Sequence, residues 1–193
     1  MVEAGRISAV VLAAGQSKRM GQNKLLMEIN QKPMLMYTLE AVGAAGFFEA
    51  ILVTTDETAR AVEIPGGFMV RINRELQKGQ GESVKIGAEA SSGDYIMFFT
   101  ADMPWITENE IRKIISHAKE DGITIPYAGG SRKNPCIFPS FLKRELLALE
   151  GDAGGRRVFE KHGHIIKHVE FESEKAFRDV DTIEDYRKTI RNV

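Results

Sequence analysis

The chain has 193 residues, 43% of them apolar, with 26 basic and 27 acidic side chains and a net charge of −1. That length suits one domain, residues 1–193, with a sizeable core, and the charge balance excludes broad electrostatic binding to nucleic acid or an anionic membrane. The lone Cys136 excludes an internal disulfide, and no stretch reads as a signal peptide or membrane span, so a cytoplasmic protein is expected.

The apolar run Ile7–Leu12 predicts a buried strand. It opens directly into Leu12–Lys24, LAAGQSKRMGQNK, which gathers Gly15, Gly21, Ser17, Lys18, Arg19 and Lys24 in one loop. Backbone N–H groups reach a phosphate only where side chains are small, and cations neutralise the rest. The loop therefore reads as a polyanion cradle, with Arg19 and Lys24 as the phosphate contacts. A plain turn with solvated charges is the alternative. It is not a P-loop, because Gln22 follows Gly21 where that motif needs lysine.

Met34 to Ala45 follows Pro33 and stops before Gly46, as a helix should. Ala50–Thr54 and Phe68–Ile72 read as strands. In Lys78–Gly87, KGQGESVKIG, Gly79 and Gly81 free the backbone and Ser83 opens a helix to Ala90. Such a loop could close over a nucleotide base, although a plain turn explains it too. Gly87 and Ala88 permit close helix packing. The strand Tyr95–Thr100 runs into Phe98–Pro104, FFTADMP, which carries Asp102 out at its end. A carboxylate there suits Mg²⁺, which takes one or two carboxylates plus substrate phosphates; a turn-forming aspartate is the alternative.

Thr107 and Glu110 form a capping box, with Ile106 stapling onto Ile111, for a helix to about His117. Ile123–Pro126, Pro135–Phe138 and Ile165–Phe171 read as further strands. Asp152 is expected to cap a helix that stops at Gly163, and Thr182 with Asp185 to start the last one. In Arg178–Tyr186, RDVDTIEDY, Asp179 and Asp181 are expected to point to opposite faces of a short extended segment. At most one of them would then share a metal with Asp102. His162, His164 and His168 meet no zinc spacing, and nothing supports a covalent nucleophile. Strands alternating with helices predict an α/β sandwich with a mainly parallel sheet, whose ligands sit beyond the carboxyl ends of the strands.

LAAGQSKRMGQNK resembles the signature loop of nucleotidyltransferases, in the branch of small molybdenum cofactor cytidylyltransferases. Leu12, Ala13, Ala14, Gly15, Ser17, Arg19, Met20, Gly21 and Lys24 fit its pattern. The later motifs follow in order: Gly79–Ser83, Ala101–Pro104, Gly151–Arg156 and Asp179–Tyr186. The resemblance spans essentially the whole chain. It implies a three-layer α/β/α sandwich, a Rossmann-like, GT-A-like nucleotidyltransferase fold. It also implies Mg²⁺-dependent transfer of a nucleotidyl group to a phosphorylated, molybdopterin-type acceptor, with release of pyrophosphate. Guanylyl-transferring relatives usually read L-A-G-G in the first loop, so Ala14 resembles the cytidylyl form and CTP is the expected donor. A molybdoenzyme or its maturation factor would be the downstream partner. The family often reads R-G-H-P where this chain has Arg132-Lys133-Asn134-Pro135.

On this reading Arg19, Lys24 and Asp102 are the catalytic residues. Asp102 and Asp179 hold Mg²⁺, with Asp181 as the substitute for Asp179. Leu12, Ala13, Ala14 and Gly15, with Gly79, Gly81 and Ser83, frame ribose and base. Asn134 and Arg156 contact the acceptor. The rivals are a guanylyltransferase, a sugar- or polyol-phosphate nucleotidyltransferase, and a non-enzymatic module that binds and delivers a pterin cofactor or nucleotide.

Overall fold

The structure is a computed structural model that describes residues 1–17 and 20–191. In chain order its strands are β1 (Ile7–Ala13), β2 (Glu28–Ile29), β3 (Lys32–Pro33), β4 (Glu49–Thr54), β5 (Phe68–Ile72), β6 (Tyr95–Thr100), β7 (Ile123–Ala128), β8 (Ser131–Arg132), β9 (Cys136–Pro139) and β10 (Ile166–Glu170). Its α-helices are α1 (Met34–Ala44), α2 (Asp56–Ala61), α3 (Gln80–Ala90), α4 (Glu108–Ser116), α5 (Lys143–Leu147), α6 (Arg156–Lys161) and α7 (Ile183–Arg191).

Among the described residues the main sheet runs β10-β7-β9-β6-β1-β4-β5, with β8 paired to β7. β1 pairs in parallel with β4 and β6, β4 with β5, and β7 with β10. β9 runs antiparallel between β6 and β7, which makes the sheet mixed. The pleat then sorts side chains between two cores. Ile7, Ala9, Val11 and Ala13 of β1 join Tyr95, Met97 and Phe99 of β6 beneath α1 and α4. Val10 of β1 joins Ile96 and Phe98 of β6 on the other face, beneath α3, α5 and α6. Strands that are apolar at every position are what a sheet covered on both faces requires, and the result is three layers.

Several local expectations hold. α1 starts directly after Pro33, and the chain leaves it through Gly46 at φ 75°. α4 carries the capping box, Glu110 accepting from the Thr107 N–H while Thr107 accepts from the Asn109 N–H at 3.3 Å. Thr182 and Asp185 cap α7 reciprocally: the Thr182 N–H donates to Asp185 Oδ2 at 3.0 Å, and the Asp185 N–H to Thr182 Oγ1 at 3.2 Å.

Others do not hold. α3 begins at Gln80, so Ser83 lies inside the helix rather than opening it. Asp152 does not cap α6, which starts at Arg156 after Gly155; its carboxylate accepts from the Gln80 N–H at 3.2 Å and so serves the N-terminus of α3. The hairpin β2–β3 turns on Asn30 and Gln31, both at positive φ. Two-residue strands are too short to show an alternating pattern.

α3 approaches β1 very closely. A Cβ on Gly87 would lie 2.3 Å from Val10 Cγ1. Val10 is fully buried and β-branched, so it has little room to yield. Gly87→Ala should lower stability by about 1–3 kcal/mol through overpacking, outweighing the roughly 1 kcal/mol gain in helix propensity. Urea unfolding would show a lowered midpoint; an unchanged or raised one would mean the sheet can yield at Val10.

Candidate active site

The carboxyl ends of β1 and β6 meet at one rim of the sheet. The Ala101 N–H donates to the Leu12 carbonyl at 3.2 Å, and Thr54 Oγ1 donates to the Ala13 carbonyl at 3.3 Å. These bonds tie the ends of β1, β4 and β6 together and fix where the following loops depart. After β1 the chain turns at Ser17 (φ 46°), and Ser17 Oγ accepts from the Lys24 N–H at 3.2 Å. Asn23 caps the short turn Lys24–Leu26 through the Leu25 N–H and donates to Thr58 Oγ1 on α2 at 2.8 Å. Leu25 is buried. The backbone of Lys24 is thus pinned from both sides, and its side chain turns into the rim.

There the Lys24 ammonium sits between two carboxylates, 2.6 Å from Asp102 Oδ2 and 2.8 Å from Asp181 Oδ1. The Lys24 and Asp102 side chains keep only 12% and 17% of their exposure. Burial alone would lower the pKa of Lys24; Asp102 and Asp181 outweigh it and hold the ammonium above the ordinary lysine value. The Val180 N–H donates to the Asp102 carbonyl at 3.0 Å, which brings the segment before α7 alongside β6. Val180 is buried with Ile29 and Met34.

Asp179 and Asp181 flank Val180, and both face the cleft. The expectation that they point to opposite faces is wrong, because residues i and i+2 of an extended chain share a face. Enclosure by the cleft, then the charges of Asp102 and Asp181, push the Asp179 carboxyl up to about 7. Lys24 and a long hydrogen bond from Thr100 (3.5 Å) oppose that shift without cancelling it. The side chain still meets water along the open cleft, which screens part of the repulsion.

A divalent ion can be tested against this donor set. Asp102 Oδ1 is a buried side-chain oxygen without a hydrogen-bond partner. The oxygens are hard donors of the kind Mg²⁺ takes. Among the described residues no three His, Cys, Asp or Glu side chains are placed to hold a metal ion together. An ion there would complete its shell with water and phosphate, as Mg²⁺ commonly does. The residues therefore fit Mg²⁺ at Asp102, with Asp179 or Asp181 beside it.

Two clefts meet at this rim. The smaller, 490 Å³, is lined by Ala14, Gly15, Lys24, Gly79, Ser83 and Asp102 among others. The larger, 1420 Å³, carries Asn134, Arg156, Asp179 and a set of rings and cations that includes Trp105, Lys133 and Phe159. Leu12, Thr100, Asp152, Gln80 and Asp181 line both. The structure thus brings Leu12, Ala14, Gly15, Lys24, Gly79, Ser83, Asp102 and Asp181 together, and sets Asn134 and Arg156 apart in the neighbouring cleft. Ala13 ends β1 just beneath the rim. Arg19 lies outside the described residues.

The two glycines also permit a close contact within the protein. A Cβ on Gly79 would lie 2.4 Å from Asp152 Oδ1, and one on Gly81 2.8 Å from the Gly151 carbonyl oxygen. They let the turn at Gly151–Asp152 close over the first turn of α3. Ser83 is buried and accepts from Asn73 Nδ2 at 2.9 Å. Asn73, Gln80 and Asp152 also line the clefts, and the sequence reading does not place them there. The motif Gly151–Arg156 pointed to Asp152, but the approach of that loop to α3 is a long-range contact with no local signature.

A family model described as "MobA-like NTP transferase domain" matches residues 9–166. The chain is 27% identical over 191 residues to the purine catabolism protein PucB of Bacillus subtilis (strain 168), covering 92% of each. It is 29% identical over 194 residues to a molybdenum cofactor guanylyltransferase of Haemophilus influenzae (strain 86-028NP), covering 95% of this chain and 97% of that one. A solved nucleotidyl transferase from Methanothermobacter thermautotroptrophicus superposes with a TM-score of 0.82 at 26% identity, covering 97% of this chain and 99% of that one.

The elevated Asp179 carboxyl gives a pH signature. A carboxyl raised on folding binds protons more tightly in the native state, so its unfavourable effect is small below about pH 4 and grows as pH rises through about 7. In metal-free buffer, Asp179→Asn should raise Tm by at least about 2 °C at pH 8 and by much less at pH 5. Equal shifts at both pH values would show that Asp179 is not held up by its neighbours.

Proposed function

The chain belongs to the MobA-like NTP transferase family, and from that membership we propose that it transfers CMP from CTP to the terminal phosphate of a molybdopterin-type acceptor, releasing pyrophosphate. The observation that carries this reading is the Lys24–Asp102–Asp181 cluster at the junction of two clefts of unequal size. A nucleotide in the smaller cleft would place its α-phosphate at the junction. An acceptor in the larger cleft would approach the same point from the other side.

Attack by one phosphate on another is opposed by mutual repulsion, so positioning and charge neutralisation supply most of the catalysis. A phosphate monoester has its second pKa near 6 and is largely ionised at neutral pH. It needs no strong general base, and among the described residues no histidine lines either cleft. Lys24, with Arg19 from the same loop, would neutralise the triphosphate and the departing pyrophosphate. Asp102 and Asp179, or Asp181 in its place, would hold Mg²⁺, which when bound draws charge from the α-phosphate and the incoming phosphate. The backbone of Leu12–Gly15 and the first turn of α3, from Gly79 through Gly81 to Ser83, would frame ribose and base. The Ser83 hydroxyl is held from one side by Asn73, which sets its orientation. Asn134 and Arg156 stand where an acceptor would lie, in a cleft also lined by the rings of Trp105 and Phe159, and aromatic side chains suit a flat ring system.

Ala14 supports CTP over GTP. It is buried and lines the smaller cleft, where a methyl group leaves less room for a purine. The alternative donor is GTP, which the name of the Haemophilus relative favours.

Offered CTP, Mg²⁺ and molybdenum-loaded molybdopterin, the protein should release pyrophosphate faster than with GTP in its place. Asp102→Ala should lower that rate by about 100-fold or more while leaving the circular dichroism spectrum unchanged. A variant retaining more than about a tenth of the rate would remove Asp102 from the machinery. Preference for GTP would correct the donor and leave the transfer standing. Binding without pyrophosphate release from any triphosphate would make the protein a delivery module.

A further inference from the structure

We infer that Lys24 is an exchangeable counter-ion: its ammonium and the divalent metal compete for the Asp102 carboxylate, and the nucleotide triphosphate opens that carboxylate to the metal by drawing Lys24 away. The inference rests on the metal-dependent transfer reading above and adds an order of events to it.

The geometry leads there directly. Lys24 Nζ takes Asp102 Oδ2 and Asp181 Oδ1 at the junction of the clefts. The other oxygen, Asp102 Oδ1, is buried on the same carboxylate, so a divalent ion bound there would lie close to the ammonium in a partly dried site. Like charges at that spacing repel strongly where water is scarce. Metal and ammonium therefore exclude one another, and one of them has to move.

Lys24 is the one built to move. Its backbone is anchored by Ser17 and by the capped turn on α2, whereas its side chain has four rotatable bonds between that anchor and the charge. Lys24 lines the smaller cleft, so a short swing would carry the ammonium from carboxylates to a triphosphate bound there. The exchange replaces one anionic partner of the lysine by another, and the Asp102 carboxylate becomes available to the metal. Nucleotide and metal should then bind with positive coupling, each favouring the state the other needs. Without nucleotide, the lysine keeps the carboxylates neutralised and the metal affinity low.

The test is metal binding alone, with no substrate and no turnover. Mn²⁺ is titrated against the full chain and free Mn²⁺ is read by electron paramagnetic resonance. Lys24→Gln and Lys24→Met should each bind Mn²⁺ about 10-fold more tightly than wild type, within the usual range of coupling between sites. Lys24→Arg, which keeps the charge, should not tighten binding. If one neutral variant fails to fold, as judged by circular dichroism, the other serves. Thermal melts give a second readout: Mn²⁺ should raise the Tm of the neutral variant more than that of wild type, since ligands that bind the native state stabilise it. Equal or weaker Mn²⁺ binding by the neutral variants overturns the exchange. Adding Asp102→Asn to the neutral variant separates the two claims. If that change abolishes the binding, the metal position stands whatever Lys24 does. If Mn²⁺ binds as before, the metal position itself fails, and the exchange with it.

Discussion

One lysine ammonium held between two carboxylates organises this molecule's functional rim. Lys24 comes from the loop after β1, Asp102 from the turn after β6, and Asp181 from the segment before α7. Three stretches far apart in sequence converge on one point only if the central strands are in register and the C-terminal segment crosses the rim. The Ala101–Leu12 and Val180–Asp102 backbone bonds hold both conditions. A partly buried ion pair of this kind adds little net stability, because removing its charges from water offsets most of their attraction. What it does is hold Asp102 and Asp181 together beside Asp179, whose carboxyl is pushed up by enclosure and then by their charges, where the two clefts meet.

The rest of the fold supplies rigidity for that arrangement. β1 and its neighbours β4 and β6 are buried on both faces, and the helices on either side exclude water from two separate cores. The rim is therefore a fixed edge from which the side chains of the loops project. The contact between the Gly151–Asp152 turn and the start of α3 adds a second constraint. It closes one wall shared by the two clefts and makes the N-terminus of α3 depend on a carboxylate from another part of the chain.

The central strands, the caps of α4 and α7 and the start of α1 were legible in the sequence because each rests on neighbours within a few residues. That Lys24 and Asp102 come to one rim was legible because small residues, cations and a terminal carboxylate cluster locally at strand ends. What could not be read was long-range: the glycines of Gly79–Gly81 packing against the Gly151–Asp152 turn, and Asp152 serving α3 rather than α6. The antiparallel insertion of β9 belongs here too, since nothing in a short apolar run states its direction. The arrangement of Asp179 and Asp181 was a different matter. It followed from the two-residue period of an extended chain and was misread, although Val180 between them, apolar and buried, carried the answer.

The most direct test of this account is the position of a metal beside a bound nucleotide. Crystals grown with Mn²⁺ and a non-hydrolysable CTP analogue would locate the ion by its anomalous scattering. The account predicts a peak with an Asp102 oxygen at about 2.1–2.2 Å, near the usual distance for small divalent ions, with Lys24 Nζ moved onto a phosphate oxygen. A peak elsewhere, or a nucleotide lodged away from the rim with Lys24 still between Asp102 and Asp181, would contradict it.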